Sequence, residues 1–267
     1  MTCNMAAMME IARQAAGFGA DLLMDAEPGD IRRKSDRDFV TDLDVRIQGV
    51  IRQFLEERTP GIGFLGEEGQ GSLVESVGSG AVWVLDPIDG TSNFIHGLPL
   101  SAVSLALVER GVPAVGVIAA PFLGLEYRAV RGCGAFSGDR RMACSSRGAL
   151  GESIVSLGDY AVGVDADRKN RRRVALAAAL AAAAERVRMF GSAALDLAWV
   201  AEGRTEGCVI HSNKPWDTAA GVLIARESGA LVTDSSGRAH DFGSADTVAA
   251  APGVQGELLE LIRVSGL

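Results

Sequence analysis

The stretch WVLDPIDGTSNF, Trp83 to Phe94, constrains this chain more than any other. It continues an apolar run, AVWVLD from Ala81 to Asp86, that puts bulky residues on both faces of a strand. A strand of that pattern belongs in a sheet covered on both sides. The run then ends in two acids, Asp86 and Asp89, three residues apart and next to Gly90-Thr91. Carboxylates that close raise each other's pKa unless positive charge sits between them. A shared proton, a metal ion or an acidic surface turn would each account for the pair.

At 267 residues the chain can hold one large domain or two modest ones, and 48% apolar residues suffice for a substantial core. The net charge of −8, with no long basic stripe, argues against a nucleic-acid groove, because phosphate-backbone binding rests on clustered Lys and Arg. The one basic cluster, DRKNRRR at 167–173, reads as the solvated first turn of an alanine-rich helix. Cys3, Cys133, Cys144 and Cys208 show no C-x-x-C spacing, so neither a zinc framework nor a disulfide scaffold is expected. The N-terminal stretch lacks a basic start, and no apolar run reaches the ~18 residues of a membrane span. A soluble protein of the reducing cytoplasm is the expectation, with no membrane partner.

Apolar spacing predicts a first helix over 4–25 and a second from Asp42 to Arg58, closed by Thr59-Pro60-Gly61. GIGFLGEEG is a short strand ending in Glu67 and Glu68, and SLVESVGSG at 72–80 is a surface loop. Several strands follow between Ser101 and Gly138, with turns at Arg110-Gly111, Leu123-Gly124 and Gly132 to Gly134. The second half reads as a strand at ESIVSLGD, a helix over 171–186 and another over 193–202. A strand, loop, helix and strand then cover 208–237, and a last helix covers 255–263. Strands and helices in such blocks favour stacked layers of helix and sheet over a simple alternating β-α fold.

Five acids fall at the ends of elements: Asp44, Glu67, Asp86, Asp89 and Asp217. Acids at the carboxyl end of an apolar strand stand where ligands gather in sheet-containing folds. Asp217 alone also reads as an ordinary helix N-cap, and Thr91 as a helix cap. Oxygen ligands suit a hard ion such as Mg²⁺, while His96, His211, His240 and unpaired cysteines offer little for zinc. A helix beginning at Gly90-Thr91 would add free backbone N–H groups for an anion. Metal carboxylates beside an anion cradle imply a phosphate or similar group.

DPIDGTSNF resembles the signature of the inositol monophosphatase family. GEE at 66–68 and WDTAAG at 216–221 match its other two marks in the right order. K…DFVTDLD (Lys34 to Asp44), RGCGAF (131–136) and GSAALDLAWVAEG (191–203) are similar to further family segments. The resemblance spans nearly the whole chain. It implies an α/β (α+β) fold, a layered α-β-α-β-α sandwich forming a single catalytic unit over 1–267. Subdomains at 1–145 and 146–267 would carry the metal and phosphate motifs and the substrate-side motifs, respectively.

The resemblance also implies Mg²⁺-dependent phosphomonoesterase chemistry, lithium inhibition and a homodimer. By motif position, Glu67, Asp86 and the Ile88 carbonyl would hold one Mg²⁺, and Asp86, Asp89 and Asp217 a second. A weaker third ion would sit near Glu67. Asp44 and Thr91 match the pair that orients the attacking water, and Glu68 would support the metal shell. Asp89, Gly90, Thr91, Ala193 and Asp217 fall at substrate-contacting positions.

One position departs from the pattern. Inositol-preferring members commonly carry a glutamate seven residues before the WD aspartate, and here that position is Ile210. An apolar side chain leaves a polyol hydroxyl unpaired. His211, Ser212, Asn213 and Lys214 follow as other polar candidates on the substrate side. The expected substrate is therefore a small phosphorylated metabolite other than myo-inositol 1-phosphate. Sugar, nucleotide-linked and histidinol phosphates are the rivals within that class. A regulatory protein on the same fold, acting through protein or RNA contacts, is the alternative of a different class.

Overall fold

A computed structural model describes residues 2–25, 27, 29–69 and 80–266. Nearly all of the loop expected at 72–80 lies outside the described residues. The chain begins with α1 (Thr2–Asp25), a hairpin of β1 (Ile31–Ser35) and β2 (Asp38–Thr41), and α2 (Asp42–Arg58). A seven-stranded sheet follows in the order β3 (Gly63–Gly66), β4 (Ala81–Asp89), β5 (Ala102–Glu109), β6 (Val112–Ala120), β7 (Leu125–Val130), β8 (Gly134–Ser137) and β9 (Arg140–Arg141). A short helix, α3 (Thr91–Ile95), lies between β4 and β5.

The second half builds a five-stranded sheet around β10 (Ile154–Leu157), β12 (Gly207–His211) and β14 (Asp246–Ala250). Its edges are β11 (Arg186–Arg188) and β13 (Leu231–Thr233). The helices here are α4 (Ala166–Ala183), α5 (Ala193–Glu202), α6 (Pro215–Glu227) and α7 (Gln255–Val264). The two sheets fall on either side of residue 145. Among the described residues no helix is long and apolar enough to cross a membrane.

Alternation along β4 explains the layering. Trp83 and Leu85 pack with Ala12, Ile47, Ile51 and Leu55 of α1 and α2, whereas Val82 and Val84 pack with Leu195, Leu197 and Val222 of α5 and α6. The small sheet buries Val155 and Val209 against Leu176 and Leu180 of α4 and Leu258 and Ile262 of α7. The order of layers is helix, sheet, helix, sheet, helix.

Two sequence expectations are corrected here, and one element was missed. The hairpin β1–β2 was not legible in its charged segment, whose strands form a two-stranded sheet among the described residues. The helix expected over 171–186 starts a turn earlier and stops at Ala183, because Arg186–Arg188 is drawn into a parallel ladder with Ile154–Ser156. The basic cluster consequently covers the first two turns of α4, and Arg173 is buried rather than solvated.

Gly221 sets the closeness of the central helix layer: a Cβ there would stand 2.6 Å from the Leu197 side chain. Gly221→Val should therefore lower stability by about 1–3 kcal/mol through overpacking. Denaturant unfolding checks this, and an unchanged midpoint would contradict the packing described.

Candidate active site

The acids of β4 sit where its ladder breaks. Asp86 pairs with Ser104 and Asp89 with Ala102, so the register shifts across Pro87 and Ile88. Proline has no N–H to give the ladder. The Ile88 N–H donates instead to Asp86 Oδ1 at 3.1 Å, which closes a turn and fixes that carboxylate. Gly90 then adopts φ 85°, and a Cβ at this residue would meet the Leu100 carbonyl at 2.7 Å. Only glycine fits both conditions. It caps α3, so Thr91 is the first helical residue rather than the cap.

Asp44 enters from α2. It occupies the third helical position in a capping box, where its Oδ2 accepts from the Thr41 N–H at 2.8 Å and the Thr41 hydroxyl at 2.5 Å. Its Oδ1 is left facing the Thr91 hydroxyl at 3.3 Å, while that hydroxyl also lies 2.9 Å from the Ile88 carbonyl. The Asp44–Thr91 pair expected from sequence is brought together. Glu67 follows β3, and its N–H donates to Leu85 O at 3.1 Å, beside Asp86.

Asp89 reaches the other half of the chain. It accepts from the backbone N–H groups of Ala193 at 3.1 Å and Ala194 at 3.0 Å, and from the Ser192 hydroxyl. These are the free N–H groups of the α5 start, a natural seat for an anion. Asp217 is the third residue of α6, not its N-cap, and accepts from the Lys214 N–H at 2.7 Å.

The electrostatics follow from this convergence. Burial, then the charges of Glu67, Asp89 and Asp217, push Asp86 well above the usual carboxylate range. Burial raises Asp89 to about 6 despite its bonds to Ser192, Ala194 and Ala193. Burial raises Asp217 to about 7, against the Lys214 N–H and with help from Asp89 and Glu67. Asp44 is also raised by burial, against the bonds from Thr41. Removing water from four neighbouring carboxylates is unfavourable unless cations compensate.

A side-chain cation of the chain already draws on Glu67. Lys34 Nζ lies 2.8 Å from Glu67 Oε1 and also bonds Glu68. Burial opposes its charge, but the two glutamates prevail and hold the ammonium more basic than usual. With Glu67 engaged there, no three acidic, histidine or cysteine side chains among the described residues converge tightly enough to share an ion. The donor set nonetheless fits a hard divalent cation: it is oxygen-only, buried, repulsive within itself and already drawing an ammonium.

The cleft beside these acids measures about 590 Å³ and is lined by Asp89, Ala193, Asp217, Lys214, Ile210 and His211, among others. A larger cavity of about 690 Å³ lies between the start of α1 and β7–β8, around Met5, Met9 and Arg131, and holds none of the converging acids. The chemistry belongs to the smaller cleft. Ile210 is 5% exposed and packs into the central core while bordering the cleft, so no carboxylate meets a ligand there. Burial, then nearby Arg173, pulls His211 down to about 4, and its Nε2 has no hydrogen-bond partner among the described residues.

Sequence reasoning missed Ser192, Lys34 as an ion-pair partner, and Arg173. Ser192 precedes a helix as an N-cap, a signal that was available. Lys34 lies 33 residues from Glu67, and no local spacing links them.

The sequence pattern of the inositol monophosphatase family matches residues 4–265. The chain belongs to that family. It is 37% identical over 234 residues to the inositol-1-monophosphatase ImpA of Mycolicibacterium smegmatis, covering 88% of this chain and 83% of that one. The extragenic suppressor protein suhB from Bartonella henselae superposes with a TM-score of 0.89 at 33% identity, over 96% and 98% of the two chains. An IMPase/NADP phosphatase solved with NADP and Ca²⁺ superposes with a TM-score of 0.79 at 25% identity, over 93% and 90%. The family assignment makes this chain a phosphoric monoester hydrolase, and that last relative holds a divalent cation.

The loop before Asp217 is braced from behind. Asn213 bonds the Ser244 carbonyl at 3.1 Å and accepts from Thr247 at 3.1 Å, while His240 Nε2 lies 2.8 Å from the same Thr247 hydroxyl. The hydroxyl proton goes to Asn213, so His240 must donate. Burial, then Arg226, lowers the His240 pKa to about 4. The unfolded chain, with histidine near 6.5, binds more protons than the folded one between those values. Stability is thus fully present above about pH 6.5 and falls as pH drops toward 4, by roughly 3 kcal/mol from this group. His240→Gln keeps a donor and should lose markedly less stability across that window. Identical pH profiles in denaturant unfolding would contradict this.

Proposed function

We propose that this protein hydrolyses a small phosphorylated metabolite with Mg²⁺, and that myo-inositol 1-phosphate is not its preferred substrate. The observation that carries the reading is the Asp44–Thr91 contact standing beside the buried acids Glu67, Asp86, Asp89 and Asp217. Glu67, Asp86 and the Ile88 carbonyl would hold one ion, and Asp86, Asp89 and Asp217 a second, with a weaker third near Glu67. When bound, such ions neutralise the phosphate, acidify water and stabilise a leaving oxygen.

The remaining work falls to the chain. Glu68 would keep the Lys34 ammonium paired if Glu67 served as a ligand to a cation. Thr91 accepts a proton from the attacking water as its own hydroxyl proton passes to Asp44 Oδ1. Asp44 can take it because its Oδ2 is saturated by Thr41, which leaves Oδ1 aimed at Thr91. Backbone N–H groups at Gly90 and Thr91 would receive the phosphate. Ala193 and Asp217 would border the leaving group.

Relatives named inositol-1-monophosphatase favour an inositol phosphate, but Ile210 supplies no acceptor for a polyol hydroxyl. A homodimer, a cytoplasmic location and inhibition by Li⁺ complete the proposal. The dimer and the lithium effect rest on family likeness, and the location on the scattered cysteines.

A phosphate-release screen tests the reading. Activity should require Mg²⁺ and vanish in chelator, and myo-inositol 1-phosphate should rank below the best sugar, nucleotide or amino-alcohol phosphate. Activity in chelator, or inositol phosphate as the best substrate, would count against it. Thr91→Ala and Asp44→Asn should each lower kcat by ~10²–10⁴ with little change in KM. If the pair acts as one unit, the double variant should be scarcely worse than either single one, whereas multiplied defects would separate them.

A further inference from the structure

A second, smaller cavity of about 170 Å³ opens off the cleft and shares Lys169, Arg173, His211 and Ser212 with it. Arg172 completes its basic wall from α4. Arg173 is only 6% exposed, and its guanidinium is held by neutral groups alone: the Asp159 carbonyl at 2.5 Å and the Ser212 hydroxyl at 3.0 Å. Among the described residues no carboxylate pairs with Lys169, Arg172 or Arg173, whereas Arg168 is paired to Asp165 at 3.2 Å. The acid on the annex wall, Asp246, is occupied by the Ser235 N–H at 2.6 Å and its hydroxyl at 2.8 Å. Asp159 borders the main cleft and offsets part of this charge through space.

A buried cation without a counter-ion is unfavourable, and proteins rarely keep one unless something compensates. The unpartnered Nε2 of His211 stands in the same wall. The neighbouring position, Ile210, withdraws the polyol acceptor from the cleft, while the annex offers cations in its place. Resting on the phosphatase reading above, we propose that the preferred substrate is a phosphomonoester whose leaving group carries a second anionic group, seated against Lys169, Arg172 and Arg173. A phosphate and a carboxylate share the chemistry the annex would recognise. Arg173, with its two fixed hydrogen bonds, is the oriented member of the wall, and Lys169 and Arg172 are its adjustable ones.

Matched pairs of esters isolate the second charge: fructose 1-phosphate against fructose 1,6-bisphosphate, and glycerol 3-phosphate against 3-phosphoglycerate. With the Mg²⁺-loaded enzyme the doubly charged member of at least one pair should show about 10-fold or higher kcat/KM, as one or two charge-assisted bonds supply. The first pair reports a phosphate annex and the second a carboxylate annex. The advantage should lie mainly in KM and shrink as salt rises. Lys169→Ala with Arg172→Ala should bring the ratio toward unity. Calorimetric binding of the same pairs to the slow Asp44→Asn variant gives the preference without turnover. Equal kcat/KM and equal affinity within both pairs would overturn the annex while leaving ester hydrolysis, and so the phosphatase reading, intact. A preference that survives the double variant would also overturn it.

Discussion

Everything around the cleft depends on holding several carboxylates together out of water. Left alone, Asp86, Asp89 and Asp217 would take up protons or drive the site apart, and their raised pKa values express that tension. The fold answers with oriented N–H groups and with the Lys34 ammonium. Asp89 is tied to the α5 N-terminus, Asp217 to the backbone before α6, Asp86 to the turn at Ile88, and Glu67 to Lys34. Such bonds fix the acids without neutralising them. Cations seated between the acids would relieve the repulsion that remains.

Those same bonds join the two halves of the chain. Asp89 on β4 meets Ser192, Ala193 and Ala194 at the head of α5, roughly a hundred residues later in sequence. Asn93 adds a parallel link, donating to the Leu100 carbonyl at 2.8 Å and the Phe190 carbonyl at 2.7 Å. Gly90 lets the chain pass between these partners. The site is therefore assembled by the packing of both sheets about a shared helix layer, and a change in that layer reaches the acids directly.

Much of this was legible in the sequence, and the reason differs from residue to residue. Strand β4 announced itself because both of its faces are apolar, and the layered fold follows from that pattern. The Asp44–Thr91 contact and the placement of Ile210 beside the cleft came through likeness to the family, since no spacing argument links positions 44 and 91. The β1–β2 hairpin was illegible because its residues are mostly charged and its partners, Glu67 and Glu68 for Lys34, lie far along the chain. Arg173 was misread as solvated because composition reports charge density, whereas burial is set by which face of α4 turns toward β12. Asp217 was misread as a cap because Pro215, two residues earlier, already starts the helix.

The central claim is that the buried acids exist to share divalent cations, with Asp86 common to both main ions. Equilibrium titration of the chelator-treated protein with Mg²⁺, followed by calorimetry, tests it most directly because it needs no substrate. Wild-type protein should bind at least two ions, and Asp86→Asn should weaken both by about tenfold or more, since one lost charge is felt at two sites. Wild-type stoichiometry and affinity retained in Asp86→Asn would contradict the account.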